Sequence, residues 1–386
     1  MEDAMSSRER VRLAIHHQEP DRVPLDLGGF QTGIHRRAYE DLLSFLGIAD
    51  EVRILDPVQQ LAVPCEQVLQ RLRVDTRYLM AHGPQGFQAE IVRNVRGGRV
   101  WHDLRDEWGV VWSMPDDQGL YMDITHHPLA DATLTDLDAY PFPDGGDSSR
   151  FSGLREQALA LRRTPYAICT GIGGVVYEIC WYMRGLERWF IDTVENAAFC
   201  EALLDRTLAY WLDYYSGFLG AVGDLVDVVM IGDDLAGQGG PLFSPRFYRR
   251  VVKPRQARLV QHIKALTGAK VWYHTCGACA EYLPDLIDNG VDIVNPVQIS
   301  ARGMDPGALK ARFGRDLVFW GGGIDAQHVL PFASPAKVRE HVCRNVAALK
   351  PGGGYVFNNV HNIQPGVPPE NVVAMYDAAY ECGAYE

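Results

Sequence analysis

The chain has no uninterrupted apolar stretch of the roughly 18 residues that a membrane-spanning helix needs, so no membrane span is expected. Basic runs are missing too. Asp and Glu number 49 against 37 Lys and Arg, a net charge of -12 that argues against nucleic acid as a partner. Met1 to Arg12 is charged and polar, without the apolar core of a signal peptide. Cysteine is sparse: eight residues in 386 are too few and too scattered for a disulfide scaffold. Cys65, Cys169, Cys180, Cys200, Cys343 and Cys382 lie in apolar or helical contexts and read as packing residues, and a reducing cytoplasm is the expected compartment. What is left is a globular chain, 47% hydrophobic and 22% charged, with material for a large core.

Along the chain, a short amphipathic helix over Ser7 to His17 precedes an expected strand, Val23 to Leu27. Helices are predicted over Arg36 to Leu46 and Glu66 to Arg73, with a strand over Val74 to Leu79. From about 82 to 143 the character changes. Apolar and polar residues alternate between turn residues (Val100-Trp-His-Asp, Gly109-Val-Val-Trp112), the pattern of antiparallel hairpins inserted into a larger unit. Strands then alternate with helices: Tyr166 to Cys169, Val226 to Ile231, Lys270 to His274, Val291 to Val294, Leu317 to Trp320 and Tyr355 to Val360. Such alternation implies parallel pairing through right-handed crossovers. About eight strands over this length predict a (β/α)₈ barrel of the TIM type, one domain over 1–386 with a β-hairpin insertion. A doubly wound sheet is the alternative, but Gly28-Gly29-Phe30 is not its glycine fingerprint.

The stretch Lys270-Val-Trp-Tyr-His-Thr-Cys-Gly277 is the most pointed in the chain. Its first half suits a buried strand. Its second half places His274 and Cys276 two residues apart, hence on the same face. An imidazole and a thiolate could there converge on one metal ion, and Gly277 lets the chain turn into the next helix. Cys279 falls in that helix, where packing is the simpler role.

A barrel keeps its active site where strands end at the carboxyl face. The residues there are Asp26, Thr170, Asp233, Asp234, His274, Cys276, Asn295, Gln298, Asp325, Gln327, Asn358, Asn359 and His361. Nearly all are polar or metal-capable, although one of Asp233 and Asp234 would also serve as a helix cap. His16-His17 and His126-His127 lie away from strand ends and read as surface residues. Trp181, Tyr182, Trp189 and Phe190 read as helix packing or as a pocket wall.

The ends of the chain carry a resemblance. Arg8-Glu-Arg-Val-Arg-Leu-Ala-Ile, then Glu19-Pro-Asp-Arg-Val-Pro24, is similar to the opening of the uroporphyrinogen decarboxylase superfamily. Val356-Phe-Asn-Asn-Val-His361-Asn-Ile-Gln-Pro resembles its closing signature. His274-Thr-Cys276-Gly277 resembles the zinc motif of its corrinoid (cobalamin)-dependent methyltransferase branch. The resemblance implies the (β/α)₈ fold. It also implies zinc held by His274, Cys276 and His361, with methyl transfer between a small substrate and a corrinoid. Two departures bear on activity. The arginine-rich loop by which decarboxylases grip propionates is here Gly28-Gly-Phe-Gln-Thr-Gly-Ile34, without arginine. The methyltransferases' second zinc cysteine is here His361.

Two neutral imidazoles and one thiolate leave zinc a net positive charge and a strong Lewis acid. That favours activating a methyl ether, methanol-like or similar donor, O-demethylation included, over methylating a thiol, unless a carboxylate such as Asp234 completes the set. No corrinoid-binding Asp-x-His-x-x-Gly is present, so the corrinoid would arrive on a separate protein. Asp233, Asp234 and His361 are the expected catalytic groups, and Asn295, Gln298, Asp325 and Gln327 the expected substrate or corrinoid contacts. A metal-free carboxy-lyase using Asp/His acid-base chemistry and a non-catalytic binding protein are the rival readings. A homodimer is compatible with the chain.

Overall fold

The computed structural model describes residues 5–87, 89–172 and 174–385. Seven parallel strands form one curled sheet in chain order: Thr76–Leu79, Ala167–Gly171, Val228–Gly232, Lys270–His274, Ile293–Asn295, Val318–Trp320 and Tyr355–Val356. Both faces are covered, and every residue of Ala167–Gly171 and Val228–Gly232 is buried, as a parallel sheet wrapped by crossover helices requires.

The strand expected over Val23–Leu27 is reduced to a few hydrogen bonds, but these bonds close the barrel. Phe357 N donates to Pro24 O (2.8 Å), Asp26 N to Phe357 O (2.9 Å) and Asp75 N to Leu25 O (2.8 Å). The segment thus joins the first strand's edge to the last's. Pro24 has no N–H to give, so a continuous ladder cannot form there.

Inside the barrel, Trp272 and Trp320 stack at 4.7 Å over Val228, Met230, Ile293 and Val318. The helix Ser7–Ile15, started by a Ser6–Glu9 capping box, packs Val11, Ala14 and Ile15 into the same cluster. This fills the barrel with side chains; each such large apolar residue contributes about 1.5–3 kcal/mol of burial. Around the outside, the stretch from Leu186 to Val222 forms two helices, Leu186–Glu195 and Ala197–Val222, broken at Asn196.

Residues 91–126 form a four-stranded antiparallel sheet, Ile91–Arg96, Arg99–Arg105, Val111–Pro115 and Asp123–His126. The sheet falls within the stretch, about 82 to 143, where antiparallel hairpins are expected. One expectation about cysteine is corrected. Cys343 and Cys382 are joined by a disulfide between the packed helices Pro335–Leu349 and Pro369–Cys382, with Cα atoms 5.5 Å apart. A reducing compartment would hold them as two thiols. Among the described residues, no helix is long and apolar enough to cross a membrane.

Candidate metal centre

His274 ends its strand, and the register sets Gly232 level with it on one side and Asn295 on the other. Asp234 therefore leaves the sheet beside His274, and Cys276 follows two residues later. Gly277 makes the turn beyond: its φ is +82°, and a Cβ there would meet Ala236 O at 2.2 Å. Glycine is required at that point. His361 comes from the loop after the last strand with φ 64°, a left-handed conformation that costs a non-glycine residue about 1–3 kcal/mol and concentrates at functional sites.

The donor atoms of His274, Cys276 and His361 lie within 4.8 Å of one another. Cys276 Sγ is 3.5 Å from His274 Nε2. Tetrahedral zinc, with Zn–N about 2.0–2.1 Å and Zn–S about 2.3 Å, sets N and S about 3.5 Å apart. The donor set and its spacing fit the ion.

Asn295 explains why His274 points correctly. Its Oδ1 lies 2.6 Å from His274 Nδ1, and its Nδ2 donates to Trp320 O at 2.8 Å, which fixes the amide's orientation. Nδ1 therefore carries the ring proton, and the Nε2 lone pair is left toward Cys276, the arrangement that usually supports a ligating imidazole. His361 differs. Asn362 N donates to its Nδ1 at 2.8 Å, so the neutral ring carries its own proton on Nε2. A metal taking Nε2 would shift that proton to Nδ1 and give up the Asn362 contact.

Burial lowers the His274 pKa to about 4 and that of His361, helped by neighbouring His274, to about 3. Both rings are neutral at ordinary pH, and His274 already presents its Nε2 lone pair. Burial and then the Asp234 charge push the Cys276 thiol well up. Asp234 itself is raised, chiefly by burial; its Oδ1 accepts from Cys276 N at 2.7 Å and lies 4.0 Å from His274 Nε2. A carboxylate thus stands beside the three donors, and the excess positive charge expected of a two-imidazole, one-thiolate site is no longer assured.

Other sequence-predicted residues go elsewhere. Asp233 is fully buried and accepts from Tyr177 N (2.8 Å), Glu178 N (2.9 Å) and Gln256 Nε2 (3.0 Å). It caps the helix Glu178–Arg184, and burial raises its pKa to about 6. It does not line the cavity, where the catalytic role expected of it would place it. Asn295 positions His274, and Gln298 Oε1 accepts from Gly277 N at 2.8 Å, holding the turn. Asp325 binds its own loop through Gln327 N (2.8 Å) and His328 N (3.0 Å), while exposed Gln327 faces Ser300. None of these four, expected as substrate or corrinoid contacts, lines the cavity; their hydrogen bonds run to the protein itself. Cys279 is buried, 3.9 Å from Met304 Sδ and outside the donor group.

The cavity above the centre encloses about 410 Å³ and is reached by His274, His361 and Asp234. Its walls include Tyr182, one of the aromatics read as helix packing or as a pocket wall, and bring residues not singled out as site candidates from the sequence, Phe30, Asp56, Trp112 and Glu178 among them. Glu178 sits in the first turn of the helix after the strand ending at Gly171, a carboxyl-face position that could have drawn notice. Its carboxyl pKa is raised well above the usual range by burial and then by Asp234 and Asp233. Trp112 comes from the inserted sheet, and no local pattern announces it. Among the described lining residues there is no lysine or arginine. Arg36 and Arg37 lie on the helix Arg36–Leu46.

The family model for uroporphyrinogen decarboxylase (URO-D) matches residues 109–382. The chain belongs to the uroporphyrinogen decarboxylase family. The curated relatives of this family member include the uroporphyrinogen decarboxylase of Ectopseudomonas mendocina (strain ymp), 24% identical over 294 residues, covering 71% of this chain and 77% of the relative. The same enzyme from Pseudomonas aeruginosa (strain LESB58) is 25% identical over 291 residues, with the same coverage. Among solved structures, a methyltransferase from Methanosarcina mazei superposes with a TM-score of 0.62 at 17% identity, covering 98% of this chain and 99% of that one. That likeness establishes the shared barrel fold.

Proposed function

We propose that this family member is a zinc-dependent methyltransferase that moves a methyl group from a small donor, bearing oxygen or another leaving heteroatom, to a corrinoid carried on a separate protein. The observation that carries the reading is the His274–Cys276–His361 donor set, with its 3.5 Å N···S spacing and an imidazole already oriented by Asn295. Zinc held by these residues would supply Lewis acidity toward the heteroatom that bears the methyl group. The chain's own residues do the rest. Asn295 holds His274 in the ligating tautomer, Asp234 fixes the Cys276 backbone, and the cavity admits one small substrate beneath an open carboxyl face on which a partner could dock.

A decarboxylase substrate rich in carboxylates would meet Asp56, Glu178 and Asp234 here without a lysine or arginine among the described lining residues. That favours methyl transfer over the carboxy-lyase reading, in which Asp234 and His361 would act as acid and base. With Asp234 beside the donors, net charge no longer separates donor demethylation from thiol methylation, and experiment decides the direction. The zinc-loaded protein is mixed with a reduced corrinoid protein and a panel of methyl ethers and methanol, and in parallel with methylcorrinoid and thiols. Methylcorrinoid formation from a donor, followed by absorbance, is the expected result; thiol methylation alone, or turnover of neither kind, contradicts it.

A further inference from the structure

We infer that the cavity over the metal centre selects a substrate bearing a positive charge, with Glu178 as its counter-ion and Phe30, Trp112 and Tyr182 as the aromatic wall that receives an ammonium or quaternary ammonium group. The inference rests on the methyl-transfer reading for the chemistry at the metal and names what the rest of the substrate carries.

Three carboxyl groups line this cavity, and two are already engaged. Asp56 accepts from Val58 N (2.8 Å), Gln59 N (3.3 Å) and Gln59 Nε2 (2.7 Å). Asp234 accepts from Cys276 N at 2.7 Å. Glu178 is 9% exposed; the Asp234 backbone N–H and, at 3.5 Å, the Tyr182 hydroxyl are the donors that reach its carboxyl. A buried carboxyl with so few donors holds its proton, and a cation seated against it favours the ionised form and offsets the cost of burying that charge.

The wall around it suits such a cation. Trp112 and Tyr182 meet edge to face, ring centroids 5.2 Å apart at 77°. Trp112 Nε1 donates to Asp106 Oδ2 at 2.9 Å, which fixes the indole, and His127 Nδ1 lies 2.7 Å from Tyr182 O. Aromatic faces beside a carboxylate attract ammonium groups through the ring quadrupole, most strongly where water is displaced. No lysine or arginine among the described lining residues competes for the place, and an anionic substrate would be repelled. The volume, about 410 Å³, accepts a molecule of choline size.

The test titrates choline and its uncharged isostere, 3,3-dimethyl-1-butanol, calorimetrically into zinc-loaded and metal-stripped protein. Choline should bind at least about tenfold more tightly than the isostere in both forms. Glu178→Gln should bring the two within about twofold with zinc content unchanged, and Trp112→Leu should reduce the preference independently of that variant. Equal binding of the two probes, an undiminished preference in Glu178→Gln, or no choline binding at about 10 mM overturns the inference. A choline preference kept by protein that takes up no zinc supports this inference while removing the methyl-transfer reading.

Discussion

The strands Lys270–His274 and Val318–Trp320 are both buried and rich in aromatics, and the end of each with the loop after it offers polar site candidates, His274 and Cys276 in one and Asp325 and Gln327 in the other. In the fold they do different work. His274 reaches the cavity and Cys276 lies beside it; Asn295 takes the His274 Nδ1 and Asp234 the Cys276 backbone N–H, so that Nε2 and Sγ face each other at 3.5 Å. Asp325 folds back onto Gln327 N and His328 N and holds only its own loop. A polar residue at a barrel strand end becomes functional when a neighbouring strand supplies the group that orients it. Position alone does not confer it.

Predictions follow that contrast from its strong end to its weak one. His274→Ala should abolish zinc binding and lower methyl transfer by more than about a hundredfold, because losing a ligand exceeds the 10–100-fold typical of an outer partner. Asn295→Ala, which touches no metal, should weaken zinc affinity by about 10–100-fold, read by competition with a chelator. An unchanged affinity would separate Asn295 from His274. Asp233→Ala should leave zinc content intact and destabilise the fold by about 1–3 kcal/mol in chemical denaturation, since it strands several buried donors. Asp325→Ala and Gln327→Ala should change stability by about 1 kcal/mol or less and alter neither zinc content nor turnover.

Acidity sharpens the comparison from another side. Both imidazoles are neutral above about pH 5, having been lowered to about 4 and about 3, whereas burial keeps the Cys276 thiol protonated. Zinc must then displace one thiol proton. Its affinity should rise with pH, close to tenfold per unit between about pH 6 and 8. Competition titrations at several pH values would check this, and the slope should vanish in Cys276→Ala.

Much of this was legible in the sequence. The alternation of strands and helices gave the barrel, and the two-residue spacing of His274 and Cys276 gave a shared face. The closing motif brought in His361. Pairing with neighbours was not legible: Asp233 and Asp234 are adjacent and chemically identical, yet Gln256 and the backbone of residues 177 and 178 claim one and leave the other by the metal donors. Glu178, despite its carboxyl-face position, and Trp112 were not singled out for the same reason. One reaches the cavity through a helix start and the other through the inserted sheet, contacts that no local periodicity encodes. The Cys343–Cys382 pair likewise depends on how two helices dock.

The most direct test of the account is the zinc content of the purified protein, supplied with zinc under reducing conditions, beside Cys276→Ala and His361→Ala. The account predicts about one zinc per chain in the unaltered protein and its loss in both variants. An unaltered protein that takes up no zinc would contradict it.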